Sequence, residues 1–192
     1  MVLNAECAVL FARRDSIYKT LPYCDVYDID RDATSYRGGV PVVTHPPCRS
    51  WGNLAHFAKP RPGERELAFF AVDQVRRCGG VLEHPVTSKL WKEADLPSAG
   101  KIDSFGGFSM VIDQHWFGHL ARKRTLLYIC GINPGKVPAF PFCMATPEYM
   151  LGTCKKGLYK ELPKSHREAT PLELAIWLVE LAKMCNKQRA VA

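Results

Sequence analysis

Val40-Pro41-Val42-Val43-Thr44-His45-Pro46-Pro47-Cys48 reads as a strand that is cut off sharply and followed by a thiol. Valine and threonine favour extended backbone. Each proline fixes its own φ and drives the residue before it toward an extended conformation. The sequence therefore predicts a buried strand over residues 40–44, with Cys48 on a stiff loop at its C-terminal end. In open α/β sheets, that end of the strands is where ligands bind. A cysteine so placed is either a nucleophile presented to a substrate or one of the small side chains that bury readily in cores.

Working outward, residues 7–12 and 24–29 read as two earlier strands. Residues 64–78 read as a helix: Leu67, Phe70, Ala71 and Val75 recur at helical spacing, and Gly79-Gly80 ends it. Strands are expected again over 81–83, 106–112 and 125–130, with a short helix over 88–94. This alternation implies an α/β fold, Rossmann-like, with a mostly parallel sheet and helices on both faces. Near the C-terminus, Thr170 is the expected helix cap, with Pro171 in the first turn and Glu173 completing a capping box. Leu174, Ile176, Trp177, Leu178 and Leu181 give that helix a broad apolar face. Between these parts, residues 132–166 hold Pro134, Pro138, Pro141, Pro147 and Pro163 and read as irregular. The expected organisation is an α/β core over 1–131, a Pro/Gly-rich loop or small lobe over 132–166, and a helix over 167–192 that docks on the core.

The chain has 192 residues, enough for one domain with a substantial core. No apolar run approaches the length of a membrane span. The first residues lack the basic start of an export signal, so a cytoplasmic location is expected. Cysteines 7, 24, 48, 78, 130, 143, 154 and 185 are scattered with no C-x-x-C pair, which argues against a zinc ribbon, and no metal ligand set is assigned. His45, His84, His115 and His119 all fall near expected strand ends, and His115 and His119 are four apart, but no carboxylate accompanies that pair at a ligating spacing. The formal charge is +7. Short basic clusters at Arg13-Arg14, Arg61 and Arg65, Arg76-Arg77, Arg122 to Arg124 and Lys155 to Lys160 favour a polyanionic partner, DNA above all.

Later pieces of sequence bear on the thiol. Val81-Leu82-Glu83-His84-Pro85 is again an apolar strand, ending in an acid and a proline. Arg122-Lys123-Arg124 precedes the strand-like Leu126 to Cys130. Pro46-Pro47-Cys48, Glu83 with Pro85, and Arg124, in this order, resemble the DNA cytosine-5 methyltransferases, especially short phage and prophage forms. The resemblance covers roughly residues 8–130 and the last helix. It implies that Cys48 is the nucleophile, that Glu83 contacts a flipped cytosine, and that Arg124 contacts the base or a phosphate, with Arg49, Arg122 and Lys123 on nucleic acid. His84 stands where the family has asparagine. The chemistry is consistent with these residue types: a thiolate adding at carbon-6 of cytosine activates carbon-5, and a carboxyl group at N3 eases the addition. A carboxyl buried beside aromatic residues is expected to have a raised pKa, and Arg49 is expected to lower that of Cys48. Trp51 and Phe57 are expected to wall the site or pack in the core.

The same resemblance implies an S-adenosylmethionine site built from Phe11, Asp28, Asp30 and Pro46, with an acid on the ribose. Here the chain departs from the family. Where a Gly-x-Gly turn is expected, it has Arg13-Arg14-Asp15, and the interval from Tyr36 to Pro46 is too short for the family's third strand and helix. Asp28 and Asp30 also suit plain turns, in which aspartate binds nearby backbone. Two functions are therefore carried forward. One is an S-adenosylmethionine-dependent DNA methyltransferase. The other is a changed descendant of that fold, which binds DNA or a protein partner or modifies a base without the cofactor.

Overall fold

The computed structural model describes residues 4–52, 55–151 and 159–185. Six strands form one sheet: β1 (Cys7–Leu10), β2 (Cys24–Tyr27), β3 (Val42–Thr44), β4 (Gly80–Pro85), β5 (Phe108–Asp113) and β6 (Arg124–Cys130), in the spatial order β2-β1-β3-β4-β6-β5. The first four pair in parallel, and β6 runs antiparallel to both its neighbours. The fold is thus α/β with a mostly parallel sheet. The reversal of β6 has a plain cause. Its connection to β5 spans only residues 114–123, too short for the crossover that a parallel return needs.

Alternate strand residues enter two separate cores. Cys7, Val9, Val43, Val81 and Leu127 face one way, and Ala8, Leu10, Val42, Leu82 and Tyr128 the other. Such strands must be apolar on both sides, as the run through Val42-Val43 already implies. The second core is covered by α1 (Glu66–Cys78), which buries Ala68, Ala71, Val72 and Val75. The first is covered by α4 (Leu172–Met184), through Leu174, Leu178 and Leu181. A short α2 (Leu90–Glu93) follows β4.

Gly80 joins α1 to β4 at φ 126°, and a Cβ there would collide with the Val42 carbonyl. Only glycine permits this close approach of the two strands. The start of α4 differs from the capping box. Pro171 itself occupies the cap position with no side-chain cap bond, so Thr170 lies one residue outside. Pro171 still contributes its carbonyl to the Ala175 N–H at 3.0 Å.

Part of segment 132–166 is joined to the core. Val137 and Phe140 pack against the α4-side core, Phe140 stacks on Trp116 at 5.5 Å, and Trp177 Nε1 donates to the Ala139 carbonyl at 3.1 Å. Further on come two short parallel strands, β7 (Tyr149–Met150) and β8 (Lys160–Glu161), and a turn of helix, α3 (Lys164–Arg167). Cys154, Lys155 and Lys156 lie outside the described residues. Among the described residues, no helix is long and apolar enough to cross a membrane.

Candidate active site

Four parallel strands bring their C-terminal ends to one edge of the sheet. The reversed β6 brings its first residues there too, because Thr125 pairs with Pro85 and Arg124 with Asp113. This edge therefore gathers Phe11, Asp28, His45 to Cys48, Glu83 and Arg122 to Thr125. The chain also reverses direction here: β2 lies on one side of β1 and β3 on the other.

Glu83 is the centre of a polar network. Its Oε2 accepts from His45 Nδ1 at 3.0 Å. Its Oε1 accepts from Gln114 Nε2 at 3.1 Å and from the Thr125 hydroxyl at 3.0 Å. The same Gln114 nitrogen lies 2.9 Å from Thr125 Oγ1. On the far side of His45, Nε2 lies 3.0 Å from the Tyr18 hydroxyl. A carboxylate can only accept, so Nδ1 carries the ring proton toward Glu83, and Tyr18 donates to Nε2. Burial raises the Tyr18 hydroxyl well above its ordinary range, which keeps its proton available for that bond. The order Tyr18, His45, Glu83 is thus a hydrogen-bonded relay anchored by Gln114 and Thr125.

The electrostatics of Glu83 differ from the sequence expectation. Burial pushes its pKa up, as expected, but the bond from His45, followed by the charges of His45, Lys123 and His84, outweighs burial and holds the carboxyl at about 2. Glu83 is an ionised acceptor and not a proton donor. A carboxylate offers about four lone-pair positions. Three are filled, which leaves one on Oε2 for a ligand. Buried Gln114 also has an Oε1 with no partner among the described residues.

Cys48 is exposed on the loop after β3. Nearby atoms strip enough solvent from its sulfur to raise the thiol pKa; the Glu83 charge adds to this, and Lys123 opposes it. The charge of Glu83 thus reaches the Cys48 thiol, across two adjacent parallel strands. On balance Arg49 does not bring the thiol down, and its guanidinium is committed to buried Glu64, forming two hydrogen bonds to it. Trp51 is fully buried in the α1-side core beneath the Arg65 guanidinium, whereas Phe57 is exposed. Pro46 is buried, and Pro47 presents its carbonyl to His84.

The basic residues divide between two edges. Arg122, Lys123 and Arg124 stand at the active edge. Arg122 is 4.0 Å from Asp113, and Arg124 is exposed with no side-chain partner among the described residues. Arg76 and Arg77 sit at the C-terminal end of α1 and so belong to the opposite edge.

The β1 and β2 ends, where a cofactor is expected, are closed. Phe11 adopts φ 63° without being glycine and packs edge-on against Phe70. Asp28 accepts from Lys19 Nζ at 2.6 Å and from the Asp30 and Arg31 backbone N–H groups at 3.0 and 3.2 Å. The Lys19 bond does most to lower its pKa. Asp30 holds Arg14 through two bonds at 2.9 and 2.6 Å, and Arg13 folds back on Asp15. A ribose diol needs a free carboxylate, and both acids already serve turns and cations. These residues do not fit the ribose of S-adenosylmethionine.

The histidines do not converge. His45 alone joins Glu83. His84 points to the other core, 1% exposed, edge-on to Trp91, and burial lowers its pKa to about 4. His115 donates from Nδ1 to the His119 carbonyl at 2.8 Å, and the His119 ring meets the Ala121 backbone. Among the described residues, no three His, Cys, Asp or Glu side chains gather as a metal set. Sequence reasoning left Tyr18, Gln114 and Thr125 out of the site. For Gln114 and Thr125 the available signal was a position just after or at the start of a strand at this edge; Tyr18, in the turn Ile17–Thr20 between β1 and β2, carried no such signal. Comparison with protein-family models, with curated proteins and with solved structures finds no match to this chain.

Proposed function

We propose that this edge engages a cytosine of DNA in the manner of a cytosine-5 methyltransferase, on a Rossmann-like, methyltransferase-like fold. Cys48 is the nucleophile and Glu83 the group that holds the base. One observation carries the reading: an ionised, pre-oriented carboxylate with one open acceptor position stands at the same strand ends as an exposed thiol. A carboxylate recognises cytosine by accepting from its exocyclic amine. Gln114 Oε1, beside it, is buried and has no partner among the described residues. Arg124, Lys123 and Arg122 stand at the same edge and supply cations for a phosphate or the base carbonyl, and the base must leave its stack to reach the thiol.

One cycle balances with Cys48 and water. Solvent takes the proton of the Cys48 thiol, the thiolate forms a bond to C6, and the C5=C6 electron pair moves toward C5. Solvent supplies a proton to C5. Loss of the original C5 hydrogen as a proton returns the pair, breaks the S–C6 bond and frees the thiolate. The net result is exchange of the C5 hydrogen with water. No step runs through S-adenosylmethionine, because Asp28 and Asp30 are engaged elsewhere.

The second reading, a descendant of this fold that binds DNA or a protein partner without chemistry, draws on the raised Cys48 thiol. The test is tritium release from DNA carrying [5-³H]cytosine, with and without S-adenosylmethionine, beside Cys48→Ala. Release that needs no cofactor and disappears in Cys48→Ala supports the exchange chemistry. Transfer of a labelled methyl group would restore the cofactor to the scheme. Absence of both, with DNA still bound, makes the binding protein the better account.

A further inference from the structure

Beside the proposed base site lies a crevice of about 530 Å³, lined by Arg122, Thr146, Pro147, Tyr149, Met150, Leu151 and Tyr159. Its position is fixed by the fold. Tyr149 bridges in parallel to Ala121, just before the basic run that leads into β6, and the second residue of β6, Thr125, is a ligand of Glu83. The crevice therefore lies beside the basic run that enters β6, a few residues along the chain from Thr125.

Its chemistry is specific. Among the described residues, the lining holds two tyrosines and a methionine, one cation and no acid. Tyr159 and Met150 are about two-fifths exposed. Lys160 stands 5.9 Å over the Tyr149 ring. The neighbouring ion pairs are loose: Arg122 is 4.0 Å from Asp113, and Lys160 is 3.6 Å from Glu148 with both side chains more than two-thirds exposed. Pairs this long, the Lys160 pair exposed on both sides and the Arg122 pair at the limit of contact, hold their cations weakly and leave them available to another anion. Flat aromatic surface flanked by available cations is what unpaired nucleic acid uses. Bases stack on the rings while phosphates meet the Lys and Arg groups. A duplex hides the faces of its bases and offers only their edges, so it cannot fill such a crevice.

We propose that this crevice takes an unpaired nucleotide of a DNA strand, its base against Tyr149 and Tyr159 and its phosphate at Arg122 and Lys160. The substrate would then be single-stranded DNA, or a strand locally opened beside the target cytosine. The inference rests on the nucleic-acid part of the proposed function but not on the chemistry of Cys48.

The experiment is fluorescence anisotropy of the full chain with a labelled mixed-sequence 12-nucleotide DNA, presented single-stranded, as its duplex and as the matching RNA. Single-stranded DNA is expected to bind at least tenfold more tightly than the duplex. Tyr149→Ala and Tyr159→Ala should each weaken binding by roughly tenfold, the usual scale of one stacked base. Tyr149→Phe and Tyr159→Phe keep the ring and should bind as the parent does, which separates lost stacking from lost folding. Equal affinity for duplex and single strand overturns the proposal, as does unchanged binding in both alanine variants. RNA bound in preference to DNA overturns the choice of substrate. If the parent releases tritium while the tyrosine variants bind unchanged, this inference alone fails. If binding depends on the tyrosines but no tritium is released, only the reaction at Cys48 fails.

Discussion

The two halves of the active edge carry the same kind of group and make opposite use of it. At the end of β2, Asp28 and Asp30 are met by cations, Lys19 and Arg14. At the end of β4, Glu83 is met by an imidazole, an amide and a hydroxyl. A carboxylate closed by an ammonium or guanidinium group has its charge balanced and its lone pairs covered. A carboxylate held by an imidazole, an amide and a hydroxyl, with no lysine or arginine bonded to it among the described residues, keeps a lone pair free and its direction fixed. Preorganised dipoles aimed at a charge are the usual means of readying a site for chemistry. The difference teaches that retained acids at strand ends are not equivalent. Their partners decide which end is open to a ligand.

The sharpest break of this comparison is at the open end. Cys48→Ala removes the exposed thiol of the sheet edge. It is expected to abolish tritium release entirely while leaving the melting temperature unchanged, because an exposed side chain contributes little to packing. Residual release at parental rate would move the nucleophile elsewhere. Next in size is Glu83→Gln. The amide cannot satisfy His45, Gln114 and Thr125 together, and it loses the charge that orients the base. Exchange should fall by roughly 10²- to 10⁴-fold, the scale of a positioned acid–base group. Stability should fall by about 2 kcal/mol for the buried partners left unpaired. A variant with full activity would show that Glu83 serves only to brace β4 against β6.

How much of this was legible in the sequence follows the same division. The strand, the stop at Pro46-Pro47 and the position of Cys48 are local properties, and they were readable because proline acts within two residues. The alternation of apolar strands and one good helix was enough for the α/β class. The orientation of β6 was not, since it depends on the length of the preceding connection. The pKa direction of Glu83 was misjudged for a related reason. Sequence shows chain neighbours, whereas the partners of Glu83 come from the loop after β3, the turn after β5 and the start of β6. Arg49 misled similarly: its contact with the Cys48 region is by chain, but its ion partner Glu64 is reached only in the fold.

A third prediction uses pH to separate two neighbours on one strand. His84 has its folded pKa lowered to about 4 from 6.5, so the unfolded chain binds more protons between those values. Stability should fall as pH drops from 6.5 toward 4, by about 3 kcal/mol from this group. Glu83, lowered to about 2 from 4.5, contributes stability that is present above 4.5 and lost as pH falls toward 2. Its share is also about 3 kcal/mol. Urea unfolding across pH should therefore show two successive windows. His84→Leu should flatten the upper one and Glu83→Gln the lower one. If either variant flattens both windows, the two groups titrate as one unit, and the separate assignment fails.

The smallest effect tests the closed end. Lys19→Ala with Arg14→Ala uncovers Asp28 and Asp30. These are exposed cations, so the melting temperature should move by no more than about 2 to 4 °C. The informative quantity is binding. If the two cations are what closes the β2 end, the double variant should gain measurable affinity for adenosine by calorimetry, where the parent has none, because the freed Asp28 can then accept from the ribose hydroxyls. If affinity stays undetectable, the obstacle is the backbone itself. Phe11 sits at φ 63° against Phe70, and no glycine allows the turn to approach a ligand. Adding Phe11→Gly to the double variant then distinguishes the two causes. Binding gained only in the triple variant assigns the closure to the turn. Binding absent in all three means that the β2 end is not a nucleoside site, and that any chemistry at Cys48 proceeds without one.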